Sequence, residues 1–152
     1  MKLKKKKALK KIGRYDKADL PELGLSDIDI KIDTGAFFSV IHCQNIRKIK
    51  ENGEEKIVFN LLDPNHAGYN DLEVSINDFQ IKTVRSSNGI EEERYAIESS
   101  IILFGRKYET LLTLTDRSVM RYPILIGRSL LKKHFLVDVS KKNLSYKKKL
   151  KG

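Results

Sequence analysis

The stretch KIDTGAFFSVIH, residues 31–42, sets an aspartate into an apolar run immediately before a threonine and a glycine. A carboxylate in such a run is costly to bury unless it is hydrogen-bonded or neutralised, so Asp33 needs a chemical reason to be there. The tripeptide Asp33-Thr34-Gly35 can hold one carboxylate on a rigid turn. Gly35 tolerates close backbone approach and unusual dihedrals, and the Thr34 hydroxyl can bond across the loop. The plain alternative is a capped turn with no chemistry. A second stretch, YPILIGRSLL at 122–131, is an apolar strand ending in Gly127 and Arg128. It leads into a short helix that Ser129 is expected to cap.

The elements that must position these residues are mostly extended. In DIDIKID, Ile28, Ile30 and Ile32 alternate with Asp27, Asp29 and Lys31, the pattern of a half-buried strand. Short apolar runs recur along the chain as KIVFNLL, LEVSI, FQIKTV, RYAIESSIILF, YETLLTLT, YPILIG and FLVDVS. Asn52-Gly53, Asn77-Asp78, Asn88-Gly89 and Gly105-Arg106 punctuate them with turn chemistry. The expectation is one mostly-β domain with a single short helix towards the C-terminus, at GRSLLKKHF, and a polar loop at 63–71.

In their order, DTGA and ILIGRSLL resemble the two signature segments of the retropepsin-like aspartic proteases. Between them, RSSNGIEEERYAI (85–97) looks like a flap hairpin with an Asn-Gly tip. A narrower resemblance joins GRYDKADLPELGL, KIDTGAFFSVIH, SSNGIEEERYAI and TLTDRSVMRYPILIGRSLL to a bacterial and archaeal family labelled ATP-dependent zinc proteases, relatives of which accompany RimK-type glutamate ligases. The label fits these residues poorly: there is no His-Glu-x-x-His, no phosphate loop and no cysteine pair.

The resemblance implies a closed, retropepsin-like β-barrel and an aspartic endopeptidase that needs no cofactor. It implies Asp33, Thr34 and Gly35 at the catalytic loop, supported by Ala36, Gly127 and Arg128. Flap residues Ser87, Asn88, Gly89, Glu92 and Arg94 would meet an extended peptide or protein substrate, as an added strand does. Because the chain carries one such aspartate and an aspartic protease needs two, the resemblance further implies a homodimer. The alternative is a peptide-binding module of the same fold that acts with a RimK-type ligase and cuts nothing.

Two departures stand out. Retroviral relatives carry an acid four residues after the catalytic aspartate, paired to the Gly-Arg arginine; here that residue is Phe37. Arg128 is then expected to pair with Asp116 or Asp138, and Phe37 and Phe38 are expected in the core. His42, Cys43 and His66 are poor joint metal ligands, since neighbours in a strand face opposite ways; no metal site is expected. Cys43 has no base-and-orienter pattern around it that would make it a nucleophile. Ser86, Asp116 and Arg117 read either as turn polarity or as substrate contacts.

The net charge of +10 is unevenly spread. Residues 1–14 hold eight Lys or Arg and 141–152 hold six, with no acid in either. Taking those fourteen from thirty leaves sixteen basic against twenty acidic residues, net −4, for residues 15–140. The expectation is a folded body at 15–140 between two basic tails, which could touch ribosome or RNA by counterion release. No apolar run is long enough to span a bilayer, and the basic start lacks the apolar stretch of a signal peptide. With one cysteine, the chain is expected to be cytoplasmic.

Overall fold

The computed structural model describes residues 8–62, 64, 66, 69–85, 88–116 and 121–152. Eleven strands and two short helices follow one another: β1 (Lys10–Ile12), β2 (Tyr15–Leu20), β3 (Leu25–Ile32), β4 (Ser39–Glu51), β5 (Glu54–Leu61), β6 (Glu73–Ile76), β7 (Gln80–Arg85), β8 (Glu91–Leu103), β9 (Arg106–Thr115), β10 (Ile124–Ile126), α1 (Arg128–Leu131), β11 (Phe135–Val137) and α2 (Leu144–Leu150). Mostly-β architecture is what the alternating runs demand. In β3 the three isoleucines are buried, and Asp29 and Lys31 between them, like Asp27 before them, are exposed.

The main sheet closes into a ring. Its order runs β10, β3, β2, β8, β9, β4, and β4 pairs back to β10. Inside stand Ile30, Ile41, Ile97, Leu112 and Ile124, each fully buried. Two hairpins use left-handed pairs at their turns: Asn52 and Gly53 between β4 and β5, Phe104 and Gly105 between β8 and β9. Such pairs match the right-handed twist of the strands they join.

One crossing decides where the chemistry can sit. β10 is inserted between β3 and β4, parallel to the first and antiparallel to the second, although those strands are consecutive in the chain. The β3–β4 connection therefore arches over the end of β10. Asp33 lies on that arch.

Within the stretches expected from charge to be tails, the described residues 8–14 and 141–152 include β1 and α2. β1 pairs in parallel with β11, Arg14 N–H bonds the Lys141 carbonyl at 2.9 Å, and α2 packs on β2. Gly13 passes so near that a Cβ there would lie 2.3 Å from the Lys141 oxygen. The physical reason is a buried carboxylate. Asp16 accepts the backbone N–H groups of Ser145 at 2.9 Å and Tyr146 at 3.0 Å, which α2 leaves without partners in its first turn. Charge density could not reveal this. Among the described residues there are accordingly two short α-helices, and α1 is capped by Gly127 rather than Ser129, because Leu130 and Leu131 N–H both reach the Gly127 carbonyl.

Candidate active site

Asp33 is tied at its backbone and open at its side chain. Its N–H bonds the Ile126 carbonyl at 2.8 Å, which fixes the arch to the end of β10. Its Oδ1 accepts the Gly35 N–H at 3.1 Å, and Ala36 N–H returns to the Asp33 carbonyl at 3.3 Å. Asp33 is half-buried, while Thr34 and Gly35 are exposed. Gly35 does not adopt a left-handed conformation; what its missing Cβ allows is the approach of Asp33 Oδ1, which would lie 3.3 Å from that atom. Thr34 contributes its carbonyl to the loop's bonding, accepting from Arg128.

The Gly127-Arg128 segment clamps the arch from below. Arg128 N–H bonds the Ala36 carbonyl at 2.8 Å and Ser129 N–H that of Phe37 at 2.9 Å. Gly127 N–H donates to Ser39 Oγ at 3.1 Å. A Cβ on Gly127 would sit 2.6 Å from the Phe38 carbonyl oxygen and 2.7 Å from that of Phe37, so only glycine fits. Gly127 and Arg128 thus hold the arch at Ala36 and Ser39.

Arg128 takes neither expected acid. Its Nη1 donates to the Thr34 carbonyl at 2.9 Å, and its guanidinium stacks 6.0 Å from the Phe37 ring centre. Phe37 holds the sequence position of the retroviral acid, and here a cation–π contact stands in place of an ion pair. Asp138 instead accepts from the Ser140 hydroxyl at 2.5 Å, and Asp116 is exposed. Phe37 is not core: it is 52% exposed, with the half-buried Phe38 edge-on at 4.9 Å.

Above the arch, β7 and β8 pair from Gln80↔Ala96 to Arg85↔Glu91, giving the expected hairpin with Asn88 and Gly89 near its tip, Gly89 at φ +82. A cleft of about 560 Å³ opens between hairpin and arch. Asp33, Gly35 and Ala36 line it from one side, Thr83, Arg85 and Arg94 from the other. Arg94 reaches the cleft as the sequence suggested, whereas Asn88, Gly89 and Glu92 do not line it. Ser86, Ser87 and Arg117 fall outside the described residues. Sequence reasoning missed Thr83, Val84 and Arg85 in the lining; the alternation in QIKTVR was the available signal.

The cleft's electrostatics are lopsided. Arg85, Arg94 and Arg128 all line it with one acid, Asp33, while Glu91, which does not line it, pairs with Arg85 at 2.8 Å. The Arg94 side chain is only 5% exposed, its Nη2 meets Glu92 at a long 3.4 Å, and its Nε has no hydrogen-bond partner among the described residues. A guanidinium so placed keeps unspent donor capacity beside the cleft.

The remaining candidates lie elsewhere. His42 and Cys43 are both fully buried, the His42 ring 5.5 Å from that of His66, and Cys43 Sγ turned to the Ile41 carbonyl at 3.7 Å. Burial pushes the Cys43 thiol well above its ordinary range, so it stays protonated and unreactive. No group of three or more His, Cys, Asp or Glu is poised around one point among the described residues.

A sequence model of the RimB-like family, described as retropepsin-like aspartic endopeptidase RimB, matches residues 11–148. The chain belongs to the RimB-like family. Curated relatives are named probable alpha-L-glutamate ligases: one from Shewanella pealeana is 37% identical over 129 residues, covering 85% of this chain and 28% of its own length. Another, from Parasynechococcus marenigrum, is 33% identical over 131 residues, covering 84% of this chain and 27% of its own. The chain therefore spans little more than a quarter of these relatives. Among solved structures, a Legionella pneumophila protein of unknown function (DUF785) superposes with a TM-score of 0.69 at 22% identity, over 91% of this chain and 99% of that one. That likeness speaks for the fold alone.

Proposed function

We propose that the chain is an aspartic endopeptidase whose catalytic pair is Asp33 of two copies meeting across a two-fold axis. The observation that carries this reading is the arch itself: one carboxylate, bonded by a single N–H, standing at an open cleft with exposed Thr34, Gly35 and Phe37 around it. A single carboxylate cannot serve as base and acid at once. Two of them about 3 Å apart share one proton, since both cannot be ionised so close together. The ionised partner takes a proton from water, whose oxygen attacks the peptide carbonyl carbon, and the protonated partner donates to the carbonyl oxygen. Proton transfer to the amide nitrogen then releases the amine and breaks the C–N bond.

The three guanidiniums suggest the substrate. A peptide with acidic side chains would balance the guanidiniums that line the cleft. The glutamate-ligase names of the relatives agree with a glutamate-rich chain as substrate. The same arginines also support a second reading, a module that binds such a chain beside a glutamate ligase without cutting it.

One substitution separates the two. Asp33→Asn keeps the shape and removes the charge, so peptide hydrolysis should fall by about 10³-fold or more while peptide affinity stays. Unchanged hydrolysis ends the peptidase reading. Binding with no cleavage by the native protein, followed by mass spectrometry, selects the module.

A further inference from the structure

A second cleft, of about 430 Å³, opens between α2 and the β2–β3 edge. Asp27, on its rim, precedes Asp33 by six residues of nearly extended chain, roughly 20 Å at ~3.3 Å per residue. Its lining is apolar at Ala18, Ile102 and Phe104, with Tyr146 beside them.

The cations around it divide into two sets. Lys149 is neutralised by Asp27 at 2.6 Å and Asp19 at 3.3 Å, and Lys17 by Asp29 at 2.7 Å. Lys10, Arg106 and Lys148 are not: none of the three meets an acidic side chain among the described residues. Lys10 Nζ stands 4.7 Å from the Phe104 ring centre, Lys148 lines the cleft beside that ring, and Arg106 follows Gly105 at the start of β9. Contact with Lys148, then burial and the nearby charges of Lys148 and Arg106, hold the Lys10 ammonium below its usual range. Like charges gathered this closely oppose folding unless an anion comes to them. Residues 1–7 add five more lysines just ahead of β1.

The kind of anion follows from what lies beside the cations. Asp19 and Asp27, on the rim, are taken up by Lys149 and leave the second set of cations without an acidic partner among the described residues. A nucleotide brings phosphate for the cations and a ring face for Tyr146 and the apolar lining, which a chain of carboxylates lacks. We infer that this cleft and the Lys10–Arg106–Lys148 cluster form a binding site for single-stranded RNA, independent of the chemistry at Asp33.

The test is fluorescence anisotropy of a labelled 20-nucleotide oligouridylate with the full chain across a salt series. The combined change Lys10→Gln, Arg106→Gln and Lys148→Gln should weaken binding on the order of tenfold or more. It should also lower the log–log salt slope by about two, as expected for three lost phosphate contacts on a single strand at ~0.7 each. Peptide hydrolysis should not change, and the melting temperature without RNA should not fall, so this result stands or falls apart from the peptidase reading. An equal loss from neutralising Lys48, Lys50 and Lys56 on the β4–β5 hairpin would reduce the effect to net charge and overturn the site. Displacement of the RNA by poly-glutamate at matched charge would overturn the assignment to RNA, and so would absence of RNA binding by the native chain. As a check needing no variant, 4-thiouridine RNA should cross-link to peptides holding Phe104 or Tyr146; cross-links confined elsewhere contradict the site.

Discussion

Two aspartates on neighbouring strands have opposite fates. Asp16, in β2, is 1% exposed and accepts three backbone N–H groups, from Lys17 at 2.8 Å, Ser145 and Tyr146. Asp33, just past β3, is half-buried and accepts one. The first has spent its oxygens on the fold and holds a helix against the sheet. The second keeps lone pairs facing a cleft. A carboxylate's availability for chemistry is therefore set by how many donors the backbone aims at it, not by the apolar run in which it stands.

That contrast can be broken by substitution. Asp16→Ala leaves the first N–H groups of α2 buried without acceptors and should cost about 3 kcal/mol of stability, measured by denaturant unfolding. Asp33→Asn should leave stability within about 0.5 kcal/mol, as for changes away from buried networks. A large loss at Asp33 and none at Asp16 would reverse the assignments. Next in size is the cleft's cationic side: Arg94→Gln should raise KM for acidic peptides about tenfold, near 1.4 kcal/mol, and leave neutral peptides alone. Equal losses for both would make Arg94 a structural residue.

The smallest effect concerns a third carboxylate, exposed and held chiefly by one side chain. The Ser100 hydroxyl donates to Glu22, and this bond, with Lys107 at 3.7 Å, keeps Glu22 below the usual carboxylate range. A depressed folded value means that the stabilisation is present above the unfolded value, about 4.3, and is lost as pH falls through the folded one. The melting temperature of Glu22→Gln should lie slightly below the native value near neutral pH and meet it in acid. A gap that widens in acid would contradict the bond's role.

The sequence showed what is local. Alternation in DIDIKID placed the three isoleucines inside, and the Asn-Gly and Gly-Arg pairs marked turns that exist. The arch at Asp33 and the clamp at Gly127 were legible because each is a short string with a known shape. What stayed hidden depends on residues distant in the chain. Asp16 and Ser145 meet across 129 positions, so nothing near either end announced that the lysine-rich segment would fold as α2. Arg128 found a backbone carbonyl and a ring face, and neither leaves a charge pattern to read. The arginine-lined cleft was half visible: Arg94 belonged to the hairpin, but its burial did not follow from EEER.

The central claim is that each chain brings half of a catalytic pair. Specific peptidase activity measured against chain concentration tests it most directly, with sedimentation at the same concentrations. The account predicts that activity per chain rises with concentration and levels off as two-fold dimers form. Full activity per chain in a strictly monomeric sample would contradict it.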